Sequence, residues 1–429
     1  MKTLLKLASA LAALSSLLAA CVAPPSALPS QEEPVSSTLN RIQNPAVPQD
    51  DLTALVQGDN AFALDLYGSL RSEDGNLAFS PYSISLALGM TYAGARGTTE
   101  AQMADVLHYT LPQDRLHPAF NRLDQDLAQE AAPAGDQQPL QLKIANAVWA
   151  ERTFSFLPAY LDLIARQYGA GIEQADFVNN AEAARRDINH WVSQQTNNKI
   201  KDLVPEGALD PLTRMVLVNA IYFKADWLNP FDPNDTGDQP FHLLDGTQVQ
   251  SRQMSGPLSA PYMAGDGFQA VELPYAGETA AMDIIVPDEG RFEQFEAGLD
   301  AQQFQGIIDA LQPTGLQVGL PKFSYRSSFS LGDRLAALGM PAAFNASQAD
   351  FSGMTGRRDL YISEVLHQAF VAVDEQGTEA AAATAVGMRA TSAMQEPHKL
   401  IIDRPFIFVI RDLHSGQILF IGRVLDPTG

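Results

Sequence analysis

A chain of 429 residues, 46% hydrophobic and 18% charged, is globular and has ample material for a core. A net charge of −22 argues against nucleic acid and anionic membrane surfaces as partners, and reads as solubility rather than as a site for one basic ligand. Cys21 is the sole cysteine, so the mature fold holds no internal disulfide.

Residues 1–6 are a short basic start, followed by an apolar run over 7–20 that ends Leu18-Ala19-Ala20-Cys21. Residues 1–20 therefore predict a signal peptide, too short and too early to stay in the bilayer as a helix. Small residues directly before cysteine resemble the lipobox of bacterial lipoproteins, which implies lipidation of Cys21. The chain would then be exported and lipid-anchored to the cell envelope or surface. An ordinary secretory signal with an incidental cysteine is the plainer alternative. Residues 21–51 carry Pro24, Pro25, Pro29, Pro34, Pro45 and Pro48 among polar residues, with almost no apolar periodicity. They predict a disordered tether.

Apolar spacing from Leu52 to Leu70 predicts an amphipathic helix. A short strand then stops at Ser80, and Pro81 suits the first turn of a helix reaching Ala93. That helix is apolar on nearly every side and belongs inside the domain. Gly94 and Gly97 end it. Further helices are expected over 112–132, 157–168 and 181–195, with a strand over 141–149. The run 215–223, Met-Val-Leu-Val-Asn-Ala-Ile-Tyr-Phe, reads as a strand covered on both faces. After Trp227 the texture changes to short strands, including 270–275 and 281–286. A helix over 291–311 follows, then strands over 316–323 and 360–373 flanking a helix over 331–338. A hairpin over 405–411 and 417–425 closes the chain. Helices dominate the first half and strands the second, which predicts an α+β class in one domain over 52–427.

The stretch from Asp374 to Pro397 leaves three readings open: a short alanine-rich helix, a flexible linker, or a strand in waiting. Alternation from Thr378 puts Thr378, Ala380, Ala382, Thr384, Val386 and Met388 on one face, all uncharged and the first four small. Glu379 and Arg389 fall on the other. No proline lies between Pro341 and Pro397, so no donor is missing from a ladder in that run.

No active site presents itself. Seven histidines are scattered with none paired at metal spacing, and no P-loop, dinucleotide glycine pattern, nucleophile elbow or His-Glu-x-x-His occurs. Neither a metal nor a cofactor is expected, and a hydrolase built from dispersed residues is the outsider among the readings.

Several motifs in a fixed order resemble the serpins over essentially all of residues 52–427. They include 76–83 with the following helix, Ile188-Asn189-His190-Trp191-Val192 through Lys199-Ile200-Lys201-Asp202-Leu203, and Leu217 to Lys224 with Trp227, Pro230 and Phe231. Further along come Leu320-Pro321-Lys322-Phe323, Ala349 to Met354, Val365-Leu366-His367-Gln368-Ala369, Glu375 to Thr384, and Arg404-Pro405-Phe406-Ile407-Phe408. The resemblance implies a fold of three β-sheets and about nine helices with an exposed reactive-centre loop. A serine protease would cleave that loop, become trapped as the acyl-enzyme, and be deformed as the cut loop inserts as a strand. The alternative within the family is a non-inhibitory binding or chaperone module.

Family roles fall on matching positions. Glu375, Gly377, Thr378, Ala380, Ala382 and Thr384 resemble the hinge; Ser80, Ser83, Asn219 and His367 resemble the polar cluster where the main sheet parts. Lys322, paired with Glu375 beside Trp227, matches the place where the loop begins to insert. Counting fourteen residues from Gly377, the family spacing, puts the reactive bond at Thr391–Ser392. Counting back from Pro397 points to Met394 instead, and Arg389 is the only trypsin-type residue in range. Thr391 would suit elastase-like or subtilisin-like proteases. No basic stripe for heparin is evident over 112–131, and a monomer is expected.

Overall fold

The computed structural model describes residues 34–130, 140–378 and 398–429. Cys21, Ala380, Ala382, Thr384, Arg389, Thr391, Ser392 and Met394 lie outside the described residues. In chain order the first half holds α1 (Gln49–Leu70), β1 (Leu77–Phe79), α2 (Pro81–Tyr92), α3 (Gly97–Val106) and α4 (Gln113–Glu130). It continues with β2 (Gln141–Glu151), α5 (Pro158–Tyr168), β3 (Ile172–Ala175), α6 (Phe177–Gln195) and β4 (Met215–Asp226). The second half holds β5 (Gly237–His242), β6 (Gln248–Gly265), β7 (Phe268–Pro274), β8 (Ala280–Pro287), α7 (Phe292–Gly298) and α8 (Ala301–Ala310). After these come β9 (Gln312–Pro321), β10 (Phe323–Ser330), α9 (Gly332–Leu338), α10 (Ser352–Thr355) and β11 (Glu364–Val373). The described chain ends with β12 (Gly377–Thr378), β13 (His398–Ile401), β14 (Phe406–Asp412) and β15 (Ile418–Val424).

The expected buried helix is α2, in which every residue is buried. Ser80 caps it, its side chain accepting a hydrogen bond from Ser83 N, and Pro81 occupies the first turn, where a missing N–H costs nothing. This helix packs between the six-stranded sheet, ordered β10-β11-β12-β4-β2-β3, and the second sheet. The all-apolar strand β4 is the six-stranded sheet's backbone: nine successive residues from Met215 to Phe223 are buried.

The remaining strands form the second sheet. Among the described residues, nine strands join in one sheet, eight in the order β1-β15-β14-β8-β7-β6-β9-β13 and β5 alongside, because the 18-residue β6 pairs with β5, β9 and β7. Sequence reading breaks this strand into short pieces because Pro257 and Pro261 look like breakers, yet both keep register with β9. The helix expected over 291–311 is two helices. Asp300 interrupts it, capping α8 by accepting from Gln303 N at 2.8 Å.

The tether expected over 21–51 also differs in its second half, where residues 34–48 lie along the domain. Val35 and Ile172 exchange backbone hydrogen bonds at 2.9 and 3.0 Å, and Ile42 N donates to Arg166 O at 2.8 Å. Arg41 donates to Asn121 Oδ1 at 2.7 Å and pairs with Asp124 at 2.7 Å, while Asn44 N reaches Gln125 Oε1 at 2.9 Å. The segment docks mainly through backbone groups and polar side chains, with Val47 against the core, so it carries no apolar period to read.

Candidate functional site

The seam between β11 and β4 is where the predicted site residues gather. Over Glu364–Phe370 the two strands pair directly and in parallel with Val216–Tyr222. At the top they separate, and β12 sits between them: Thr378 pairs with Val373 on one side and with Ala225 on the other. The two predicted hinge residues Gly377 and Thr378 are thus already strand, and Thr378 is fully buried.

Local chemistry explains this seating. Asp374 Oδ1 accepts from Gln376 N at 2.9 Å and Gly377 N at 3.3 Å, closing a tight reversal after β11. Gly377 passes so close to β4 that a Cβ would collide with the Ala225 carbonyl oxygen and stand 2.7 Å from Asp226 Cα. Only glycine fits. Trp227 N donates to Gln376 O at 2.7 Å and its indole Nε1 to Asp374 O at 3.0 Å. Lys322 pairs with Glu375 at 2.5 Å. Burial alone would raise the Glu375 carboxyl. It is the largest single effect, but the hydrogen bonds from Lys322, the backbone and Thr236, with the Lys322 charge, together outweigh it and hold Glu375 below the usual carboxylate range.

Sequence reasoning missed Tyr275, taken only as the end of a strand. Its ring stacks on Trp227 at 4.7 Å and 5°, and its hydroxyl lies 2.7 Å from Thr378 Oγ1 in a fully buried position. Burial pushes this phenol far above its ordinary pKa, so it stays a neutral donor or acceptor.

Lower down, Ser80, Ser83, Asn219 and His367 lie in one hydrogen-bonded group. Ser80 N donates to His367 Nε2 at 3.2 Å, which fixes the proton on Nδ1, and Nδ1 then donates to Asn219 Oδ1. Asn219 Nδ2 donates to Ser83 Oγ at 2.6 Å and to Asn146 Oδ1. Asn146 is the member that sequence reading missed. It lies opposite Asn219 on β2, and its Nδ2 donates to Ser83 O at 3.0 Å. A lone amide between Ala145 and Ala147 in an apolar strand was the available signal. Burial pushes His367 down to about 3, leaving a neutral imidazole stacked parallel to Phe329 at 6.4 Å. The arrangement can hold two strands shut with polar groups that are fully partnered only while the seam is closed. Nothing in it resembles a nucleophile with its base.

With that geometry in place, comparison with known proteins is direct. The family described as "Serpin (serine protease inhibitor)" matches residues 57–427. Human leukocyte elastase inhibitor is 38% identical over 386 residues, covering 87% of this chain and 99% of that one. An uncharacterised serpin-like protein of Thermococcus kodakarensis is 40% identical over 393 residues, 91% of this chain and 90% of that protein. Among solved structures, the thermophilic serpin tengpin in its native state superposes with a TM-score of 0.80 at 29% identity, covering 90% of this chain and 97% of that one. The chain belongs to the serpin family.

Proposed function

We propose that the chain inhibits serine proteases as a suicide substrate, with residues 379–397 supplying the bait and the β11–β4 seam receiving it. The observation that carries this reading is the position of Thr378, small, uncharged, fully buried and paired with both strands of the seam. Insertion then continues a strand already begun. Serpin loop insertion is itself a known instance of strand addition and of release of stored strain. Each further ladder bond contributes about 0.5–1.5 kcal/mol net. A dozen such bonds rival the ~5–15 kcal/mol that holds a protease folded.

In this reading Glu375, Gly377, Thr378, Ala380, Ala382 and Thr384 form the hinge, and Lys322 and Trp227 hold its start. Ser80, Ser83, Asn219 and His367 seal the seam, and Thr391–Ser392 is the cleaved bond, ahead of Arg389 and Met394. The resemblance to leukocyte elastase inhibitors supports elastase-like targets, with subtilisin-like ones as the second class. The leader and lipobox-like stretch supports export and a lipid anchor through Cys21.

The test is incubation of the purified chain with elastase and with subtilisin. A complex that survives SDS is expected, with mass spectrometry placing the acyl bond at Thr391. Cleaved chain should also melt at a higher temperature than intact chain. Digestion of the loop by every protease, with neither complex nor thermal gain, overturns inhibition. Metabolic labelling with a fatty acid checks the anchor, and Cys21→Ser should abolish the label.

A further inference from the structure

The histidines show no metal spacing along the sequence, yet the fold brings one of them to two distant carboxylates. Glu130 closes α4, while Asp412 and His414 flank the turn between β14 and β15. One ligand atom from each lies within 4.8 Å of the other two. Glu130 Oε1 stands 3.4 Å from His414 Nδ1. Ligands about 2.1 Å from a tetrahedral zinc stand ~3.4 Å from one another, so these two atoms already have the separation such an ion imposes.

Two further features separate this group from an ordinary surface cluster. Glu130 Oε2 is fully buried and has no hydrogen-bond partner. Asp412 is only 3% exposed and faces Glu130, and among the described residues no lysine or arginine pairs with it. Arg122, the nearby guanidinium, is committed to Asp126 at 2.8 Å. Two carboxylates, one of them carrying the unpartnered oxygen, therefore face each other beside a single imidazole, an arrangement that normally demands compensation.

The group is also held in place. Asp412 Oδ2 accepts from Ser415 N at 2.6 Å and Ser415 Oγ at 2.5 Å, which fixes the carboxylate plane. Asn60 of α1 pins the same turn, donating to Gly416 O and accepting from Ile418 N at 2.9 Å each. The three side chains border a cleft of about 520 Å³ that also exposes Gln57, Asn60 and Asp126, leaving room for water as a fourth ligand.

We propose that Glu130, Asp412 and His414 bind a divalent transition-metal ion of the zinc type, tying the end of α4 to the β14–β15 turn. An imidazole nitrogen with two carboxylates suits zinc, cobalt or nickel better than magnesium or calcium, which favour all-oxygen shells. The site lies away from the β11–β4 seam, so its loss leaves protease trapping intact.

Calorimetric titration of untagged, metal-stripped chain with zinc chloride tests this. The expected result is saturable binding of one ion per chain in the micromolar range, with a higher melting temperature in zinc than in chelator. His414→Ala, at a side chain 64% exposed, should fold normally and bind at least about tenfold more weakly. Glu130→Gln should weaken binding likewise, and excess magnesium should not compete. Cobalt should give a visible spectrum of tetrahedral type that His414→Ala abolishes. Absence of saturable binding, or undiminished binding by His414→Ala, overturns the proposal.

Discussion

The β11–β4 seam is closed by different chemistry at its two ends. In the middle, Glu364–Phe370 pair directly with β4, and the polar group of His367, Asn219, Asn146, Ser83 and Ser80 lies across the join. At the top, β12 already separates the strands, and the contacts are aromatic, with Trp227 stacked on Tyr275 and Tyr275 bonded to Thr378. An inserting strand exchanges one parallel ladder for two antiparallel ones, which are the more stable per residue. The top has begun that exchange. The middle resists it, since parting there strips partners from fully buried polar groups. Under the proposed function, the difference is that between a hinge that starts insertion and a latch that delays it.

The harshest way to break this division of labour is at the hinge. Thr378→Arg places a charge in a fully buried position between two strands. Burying an unpaired charge costs several kcal/mol, and about 1.4 kcal/mol is already a factor of ten. SDS-stable complex should disappear and the loop should be cleaved as plain substrate, raising the stoichiometry of inhibition by at least about tenfold. Thr378→Ser keeps the hydroxyl and the small volume and should trap normally. Equal trapping by the arginine variant would falsify seating at 378 as the first step.

A smaller effect sharpens the other side of the comparison. His367 is held neutral by burial, down to about 3, whereas an unfolded histidine titrates near ~6.5. Below ~6.5 the unfolded chain takes up a proton that the folded chain refuses, so the stability this group contributes is complete above that pH and is lost as pH falls toward 3. The loss from this residue should reach roughly 2 kcal/mol by pH 5. His117, also pushed down to about 3 by burial, adds in the same direction. Urea denaturation at neutral pH and at pH 5 should show the slope, and His367→Gln should flatten it by the His367 share. An unchanged slope in that variant would mean that the neutral imidazole is not its source.

Legibility in the sequence follows the same line. Gly377 is placed by the resemblance to the serpin hinge, and Thr378 by that resemblance and by opening the small uncharged face that alternation shows. The apolar β4 and the all-buried α2 announced themselves by having no polar face. Asn146 and Tyr275 were not readable, because each draws its role from a partner that folding brings in, Asn219 and Thr378 respectively. The docked 34–48 segment escaped for a related reason: its contacts run mainly through backbone groups and Arg41, leaving no period in the sequence. The break at Asp300 was hidden by the opposite effect, since apolar spacing continues across two helices that merely follow each other.

Tyr275 offers the gentlest test, and the most specific one. Tyr275→Phe keeps the ring on Trp227 and removes only the hydroxyl facing Thr378 Oγ1. A buried hydroxyl left without its partner costs about 1 kcal/mol, roughly fivefold in the ratio of seated to released hinge. Amide exchange at Thr378 should quicken by about that factor, while exchange in the middle of the seam stays unchanged. Thr378→Val, which keeps the shape without the hydroxyl, supplies the second arm of a double-mutant cycle. If the hydroxyl pair holds the hinge, the double variant should be scarcely worse than either single one. Strict additivity would assign the seating to Gly377 and the Trp227 backbone contacts alone, leaving the aromatic pair as packing.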